Sequence, residues 1–251
     1  MGIFDGKVAI ITGAARGLGR EYARFFAEDG ASIVLGDING EGAELAAREL
    51  VSAGYERALG LYLDVTVESS AQHMAEQALQ RFGRIDILVN NAGIWGDLLR
   101  APLLTIDPNY WDTVMAVNLK GALLCSRAVV PIMRQHGWGR IINISSNGAY
   151  KAGSVYSISK LALNQLTYSL AAQVADFGIT CNGIAPGPIL TEATQRQYSQ
   201  QELEQVVQQN MIRRAGTGRD LYGAIRYLCS DDAGWVTGQT IYVNGGSMSR
   251  F

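Results

Sequence analysis

A tyrosine and a lysine four residues apart, Tyr156 and Lys160, carry the most pointed chemistry in this chain of 251 residues. At that spacing on a helix the two side chains share one face. A free phenol ionises with a pKa of about 10, so almost none of it is phenolate at neutral pH. A lysine ammonium within about 4–6 Å favours the phenolate and lowers that value by about 1–3 pH units. Such a tyrosine serves as a general base, or as a general acid in the reverse direction. Upstream, Asn143-Ile-Ser-Ser146 ends on two serines, either of which could hold a substrate oxygen against the phenol.

The elements that must position these groups are legible around them. Residues 140–144 form a short β-branched, apolar run that reads as a buried strand, and 155–177 have helical spacing. The same alternation runs through the whole chain. Further strands are expected at 7–11, 32–36, 58–63, 85–89, 179–184 and 240–243. Helices are expected from the Gly-rich turn to about 29, at 40–53, 67–82, 108–136 with an internal break, 201–209 and 219–230. Gly30, Gly54 and Gly83 are placed as helix stops, and Asp107-Pro108 as a helix start. Repeated strand–helix alternation implies a parallel sheet covered by helices on both faces. No linker or shift in composition divides residues 1–251, so a single α/β domain is expected. The segment 187–200 reads as irregular and is long for a compact domain, which suggests a substrate lid over about 187–215.

Composition narrows the function classes. The net charge is −2 and no basic stripe is present, which argues against nucleic acid and anionic membrane as partners. No run approaches the length of a membrane span, and no signal peptide is visible at the start. Cys125, Cys181 and Cys229 are odd in number and widely spaced, as buried thiols in a reducing compartment would be. With only His73 and His136 as imidazoles, no metal site is expected. A cytoplasmic protein is the expectation.

A second constellation lies near the start. Thr12-Gly-Ala-Ala-Arg-Gly-Leu-Gly19 follows a strand and opens a helix, the context of a dinucleotide-binding turn. Gly13 permits the tight turn, while Gly17 and Gly19 allow close approach of a pyrophosphate and of helix to strand. The helix N-terminus offers free N–H groups to phosphates. Asp37, at the end of the second strand, can accept hydrogen bonds from the adenosine ribose hydroxyls, and its neighbour Ile38 adds no base for a 2′-phosphate. That favours NAD over NADP. Arg16 inside the turn pulls the other way, and Asp37 could also be a plain helix cap.

Taken together, these motifs make the chain resemble a single-domain short-chain dehydrogenase/reductase over nearly its whole length. The resemblance implies a Rossmann-type, doubly wound, seven-stranded parallel sheet in the order 3-2-1-4-5-6-7. It identifies the Gly13, Arg16, Gly17, Leu18 and Gly19 turn as the cofactor cradle, with Asp37 and Ile38 beside it. Asp64 and Val65 match the adenine contact, and Asn91, Ala92 and Gly93 match the motif beside the cofactor. Pro186, Gly187, Ile189 and Thr191 match the segment that contacts the nicotinamide amide. Asn118, Ser146, Tyr156 and Lys160 match the catalytic tetrad: tyrosine as acid/base, lysine lowering its pKa and holding the nicotinamide ribose, serine binding the substrate oxygen, asparagine at a helix break. The spacing from Ser146 to Tyr156 is shorter than the family's usual one, which leaves Ser145 as the alternative serine. The family commonly assembles as homotetramers through its two long helices, here about 111–136 and 155–177, where Ala162, Leu166 and Leu170 recur at contact spacing.

The reaction so implied is NAD-dependent interconversion of a secondary alcohol and a ketone, on a small neutral and apolar substrate that could be aromatic or cyclic. The expected substrate contacts are Trp95, Ser146, Tyr150 and Leu190, with Ile94, Leu98, Leu99, Ile189 and Tyr198 as further pocket contributors. Alternatives are an NADP-dependent 3-oxoacyl-type reductase and a catalytically silent nucleotide-binding scaffold.

Overall fold

A computed structural model describes residues 2–95, 98–99, 101–197 and 199–247. Seven strands, β1 (Val8–Thr12), β2 (Ser32–Asp37), β3 (Ala58–Tyr62), β4 (Ile87–Asn90), β5 (Gly139–Ile144), β6 (Ile179–Pro186) and β7 (Thr240–Val243), form one sheet. Their order is β3-β2-β1-β4-β5-β6-β7 and every pairing is parallel. The order and the single-domain α/β architecture are those expected.

The strands read as unbroken apolar runs because both faces are covered. In β1, Ala9 and Ile11 pack on one side with Tyr22 and Phe26 of α1 (Gly17–Glu28), Ala43 of α2 (Gly40–Ser52) and Leu221 further along the chain. Val8 and Ile10 pack on the other, with Met74 of α3 (Glu68–Phe82) and more distant apolar groups. Period-2 alternation therefore separates two cores rather than core from solvent.

The expected break at 108–136 is a π turn. α4 (Pro108–Met115) runs through the π-helical segment Ala116–Lys120 directly into α5 (Gly121–Gln135). By length and hydropathy Pro108–Gln135 is the one helix among the described residues that could cross a membrane. Its apolar side is already used, since Leu124, Cys125, Val129 and Met133 are buried against the sheet. α6 (Val155–Val174) lies beside it and carries the tyrosine and lysine.

The segment expected to be irregular contains a helix, α7 (Glu192–Gln197), followed by α8 (Gln200–Gln208). Ser199 and Glu202 form a capping box that starts α8. The last helix, α9 (Gly218–Cys229), is capped in the same manner by Thr217 and Asp220. Tyr198, an expected pocket contributor, lies outside the described residues. Leu170, expected on a contact face of α6, is buried in the core with Val174, whereas Ile158, Leu161 and Tyr168 form the exposed apolar stripe of that helix.

Candidate active site

β1 and β4 are neighbours at the point where strand order reverses, and ligands of doubly wound sheets bind outside the carboxyl ends of strands at such a point. A cavity of about 490 Å³ opens there. One end is the Gly-rich turn. Gly13 has φ +66° and a Cβ there would lie 2.8 Å from Ala92 Cα, so only glycine fits. Gly17, at φ +56°, faces open space and lines the cavity with Leu18 and Arg16. Gly19 does not line it; a Cβ would sit 2.2 Å from Gly13 O, so its part is packing. Side chains cap α2, α6, α8 and α9, but α1 has none. Its N-terminus meets the cavity uncapped, which fits an anionic pyrophosphate.

The turn is braced from β4. Thr12 Oγ1 accepts the N–H groups of Asn91 at 3.1 Å and Ala92 at 3.0 Å. Asn91 Nδ2 donates to Thr12 O at 2.9 Å and Gly13 O at 3.0 Å. Asp37 is tied in as well: Oδ2 accepts from Ala15 N at 3.0 Å and Oδ1 from Asn39 N at 2.9 Å. The cap of α2 is Asn39 rather than Asp37. Asp37 and Ile38 both line the cavity, and Ile38 is 68% exposed. Asp64 is turned to Thr66, whose N–H and hydroxyl it accepts at 2.9 and 2.7 Å; Val65 and Leu63 line the cavity in its place.

At the other end, α6 and β5 bring Tyr156, Lys160 and the serines together. Lys160 is buried, which pushes its pKa down to about 8. Its Nζ donates to Ile144 O at 2.7 Å and lies 5.8 Å from the Tyr156 ring centroid. The two serines face different neighbours. Ser145 Oγ is buried and donates to Asn164 Oδ1 at 2.5 Å, close to Lys160 O at 3.3 Å. Ser146 Oγ accepts Gly148 N–H at 3.0 Å and caps the short 3-10 turn Asn147–Tyr150. A Cβ built on Gly148 would lie 3.2 Å from Ser146 Oγ and 3.8 Å from Tyr156 Cε1, so that hydroxyl and the phenol ring flank one spot.

Asn118 sits in the π turn, buried one step behind the cavity wall. Its Oδ1 accepts Ile94 N–H at 2.7 Å and its Nδ2 donates to Ser159 Oγ at 3.1 Å. Ser159 Oγ in turn donates to Tyr156 O at 2.7 Å. A Cβ on Gly93 would lie 3.3 Å from Asn118 Oδ1 and 3.5 Å from Lys160 Nζ, so glycine keeps this corner open.

Ala92, Gly93, Pro186, Gly187, Ile189 and Thr191 line the cavity as expected, as do Ile94 and Trp95. The Trp95 ring packs on Tyr156 at 5.0 Å between centroids. Tyr150 and Leu190 do not line it and are exposed, Leu190 because its N–H is bound to Gly216 O and its side chain turns outward. Leu98 and Leu99 are also outside the lining. Sequence reading missed Lys151, Glu192 and Arg196 on the wall, and Leu203 and Val206 of α8. The i, i+3 spacing of the last two was a usable signal. It missed, too, the buried relay behind the strand ends, in which Asn90 Nδ2 donates to Asn143 Oδ1 at 2.8 Å and Asn143 Nδ2 to Thr167 Oγ1 at 2.9 Å.

Comparison with known proteins agrees with this architecture. Residues 13–248 match a family model described as enoyl-(acyl carrier protein) reductase. An uncharacterised oxidoreductase of Mycobacterium tuberculosis is 43% identical over 248 residues, covering 99% of this chain and 100% of that one. A subunit of the (2S)-[(R)-hydroxy(phenyl)methyl]succinyl-CoA dehydrogenase of Thauera aromatica is 39% identical, covering 98% of both chains. The crystal structure of a gluconate 5-dehydrogenase from Burkholderia cenocepacia, in complex with NADP and tartrate, superposes with a TM-score of 0.90 at 37% identity, covering 97% of this chain and 95% of that one. The chain belongs to the short-chain dehydrogenase/reductase family. It is an oxidoreductase of a family that uses a nicotinamide cofactor.

Proposed function

We propose that this protein interconverts a secondary alcohol and a ketone with NAD as cofactor, Tyr156 being the acid/base. The observation that carries the reading is the buried Lys160 ammonium, held by Ile144 O at 2.7 Å beside the Tyr156 ring and the Ser146 hydroxyl. A positive charge in that position favours the phenolate. Tyr156 then takes the carbinol proton during oxidation and returns it during reduction. Ser146 Oγ accepts Gly148 N–H, which leaves its own proton for the substrate oxygen. Lys160 spends one N–H on Ile144 O and keeps two for the ribose hydroxyls. Asn118, through Ile94 N and Ser159, fixes the wall and the α6 turn that hold Tyr156. The bound nicotinamide supplies the hydride acceptor or donor. The hydroxyl named in the Thauera aromatica relative and the dehydrogenase of Burkholderia cenocepacia support alcohol chemistry over reduction of a carbon–carbon double bond.

Asp37 on the lining, with exposed Ile38 next to it, supports NAD. Arg16 on the same wall and the NADP of the Burkholderia cenocepacia structure favour the second reading, NADP. α7 and α8 form the lid over about 187–215, with Leu203 and Val206 turned to the cavity. Trp95 on Tyr156 supports a ring-bearing substrate. The three cysteines, all buried free thiols, support a cytoplasmic setting. The test is absorbance at 340 nm with NAD and with NADP against a panel of cyclic and benzylic secondary alcohols. No turnover of any of them with either cofactor sinks the reading.

A further inference from the structure

The wall beside Tyr156 carries a cation that the reaction does not use. Lys151 follows the 3-10 turn Asn147–Tyr150, to which it is fixed by its N–H on Gly148 O at 3.0 Å, and it lines the cavity. Its ammonium makes no hydrogen bond or ion pair among the described residues, unlike the other charges on this side. Glu192 and Arg196 neutralise one another at 3.5 Å, and Lys160 is held by Ile144 O. Besides the buried Lys160 ammonium that serves Tyr156, the substrate end of the cavity therefore has one further positive charge with no acidic partner, that of Lys151. Lys151 is not placed for the cofactor phosphates. It follows β5, whereas the Gly-rich turn follows β1 and Asp37 ends β2, two and three strands away in the sheet. At about 4.8 Å per strand the strand ends themselves are about 10 and 14 Å apart. The loop that carries Lys151 is the shortened one between Ser146 and Tyr156, and all three residues line the same cavity. The nearby apolar surface is that of Trp95, Leu203 and Val206.

From this pairing we infer that Lys151 is a specificity residue and that the substrate is an anion: a secondary alcohol with an apolar ring and a carboxylate that Lys151 receives. This replaces the neutral substrate expected from sequence, and it rests on the alcohol–ketone reading above.

The test uses 3-hydroxy-3-phenylpropanoate and its neutral amide, a pair of nearly the same shape in which the amide lacks the charge. Binding to the NADH-loaded protein is measured by calorimetry, and oxidation with NAD at 340 nm. A charge-assisted contact predicts that the carboxylate binds about ten- to a hundredfold more tightly than the amide. Lys151→Met, which keeps length and removes charge, brings the ratio to near one, and Lys151→Arg restores most of it. Amide binding as tight as or tighter than carboxylate binding, undetectable binding of the carboxylate, or a preference that survives in Lys151→Met overturns the inference. Preferential carboxylate binding without turnover of either compound would leave Lys151 as an anion site and count against the alcohol dehydrogenase reading. Turnover of the amide with no carboxylate preference would do the reverse.

Discussion

The Lys160 ammonium donates to the Ile144 carbonyl at 2.7 Å, tying the helix that carries Tyr156 to the last residue of the strand that leads into Ser145 and Ser146. One hydrogen bond thus joins the two elements of the reacting end, and it does so with a charge taken out of water.

That burial sets a pH dependence. The unfolded chain keeps the Lys160 proton up to its ordinary 10.5, whereas the folded chain releases it near 8. Below about 8 both states are charged and the folded state bears the full cost of burial. Between 8 and 10.5 the folded state is neutral and that cost fades, so the contribution of this group to stability rises with pH. At neutral pH the cost is about 2–4 kcal/mol, at about 1.4 kcal/mol per pH unit. Urea denaturation of the cofactor-free wild type and of Lys160→Met should show the wild type gaining on the variant from pH 8 to 10. A difference that stays flat over that range would show that Lys160 is not depressed.

Tyr156→Phe should abolish turnover while NAD still binds, since only the hydroxyl proposed as the acid/base is lost. Ser146→Ala should cost far more activity than Ser145→Ala, because Ser146 shares the spot beside the phenol ring. Ser145→Ala should instead lower stability by about 1 kcal/mol, because it leaves the part-buried Asn164 Oδ1 without its donor. Steady-state kinetics and melting curves on the three variants check the ranking. The reverse order for the serines would place the substrate oxygen on Ser145.

Cofactor choice should favour NAD over NADP by at least about a hundredfold in kcat/KM, which needs only about 2.7 kcal/mol. Asp37 also holds Ala15 N and Asn39 N, so Asp37→Ala should lower the melting temperature as well as relax the preference. Ile38→Arg keeps those bonds and should narrow the preference by itself, with the double variant narrowing it further. Equal use of both cofactors by the wild type would reduce Asp37 to a brace for the turn.

In solution the chain should be a homotetramer. Ile158, Leu161 and Tyr168 recur on the outer side of α6 and are exposed in the single chain. Leu161→Glu should lower the mass seen in sedimentation velocity at micromolar concentration. A monomeric wild type under the same conditions refutes the assembly.

Most of the fold was legible because a parallel sheet with both faces covered writes its strands as plain apolar runs, each closed by a small or polar residue, and the helices between them keep a 3.6 period. The candidate site was legible where it depends on spacing, as for Tyr156 with Lys160 and Gly13 with Gly17. What sequence could not supply was direction. Asp64 and Val65 are adjacent, and only the packing of the loop decides that Val65 turns to the cavity while Asp64 turns to Thr66. Lys151 carried no signal in the sequence because the path of the short loop is not written in its residue types. α7 was hidden for a related reason: six residues are too few to show a helical period.

The π turn at Ala116–Lys120 has a genetic meaning. A π turn is one residue more than an α-helix needs, and the surplus is taken up locally, between α4, which packs on α6, and α5, which packs on β4 and β5. Asn118 owes its inward position to that surplus. Loss of a single codon within the turn should let the helix close into an uninterrupted α-helix and carry the Asn118 amide away from Ile94 and Ser159, while the Gly-rich cradle keeps its own bonds to Asn91 and Ala92. On the proposed reading, a deletion of three bases would take Asn118 out of the site without changing a codon of the Gly-rich turn.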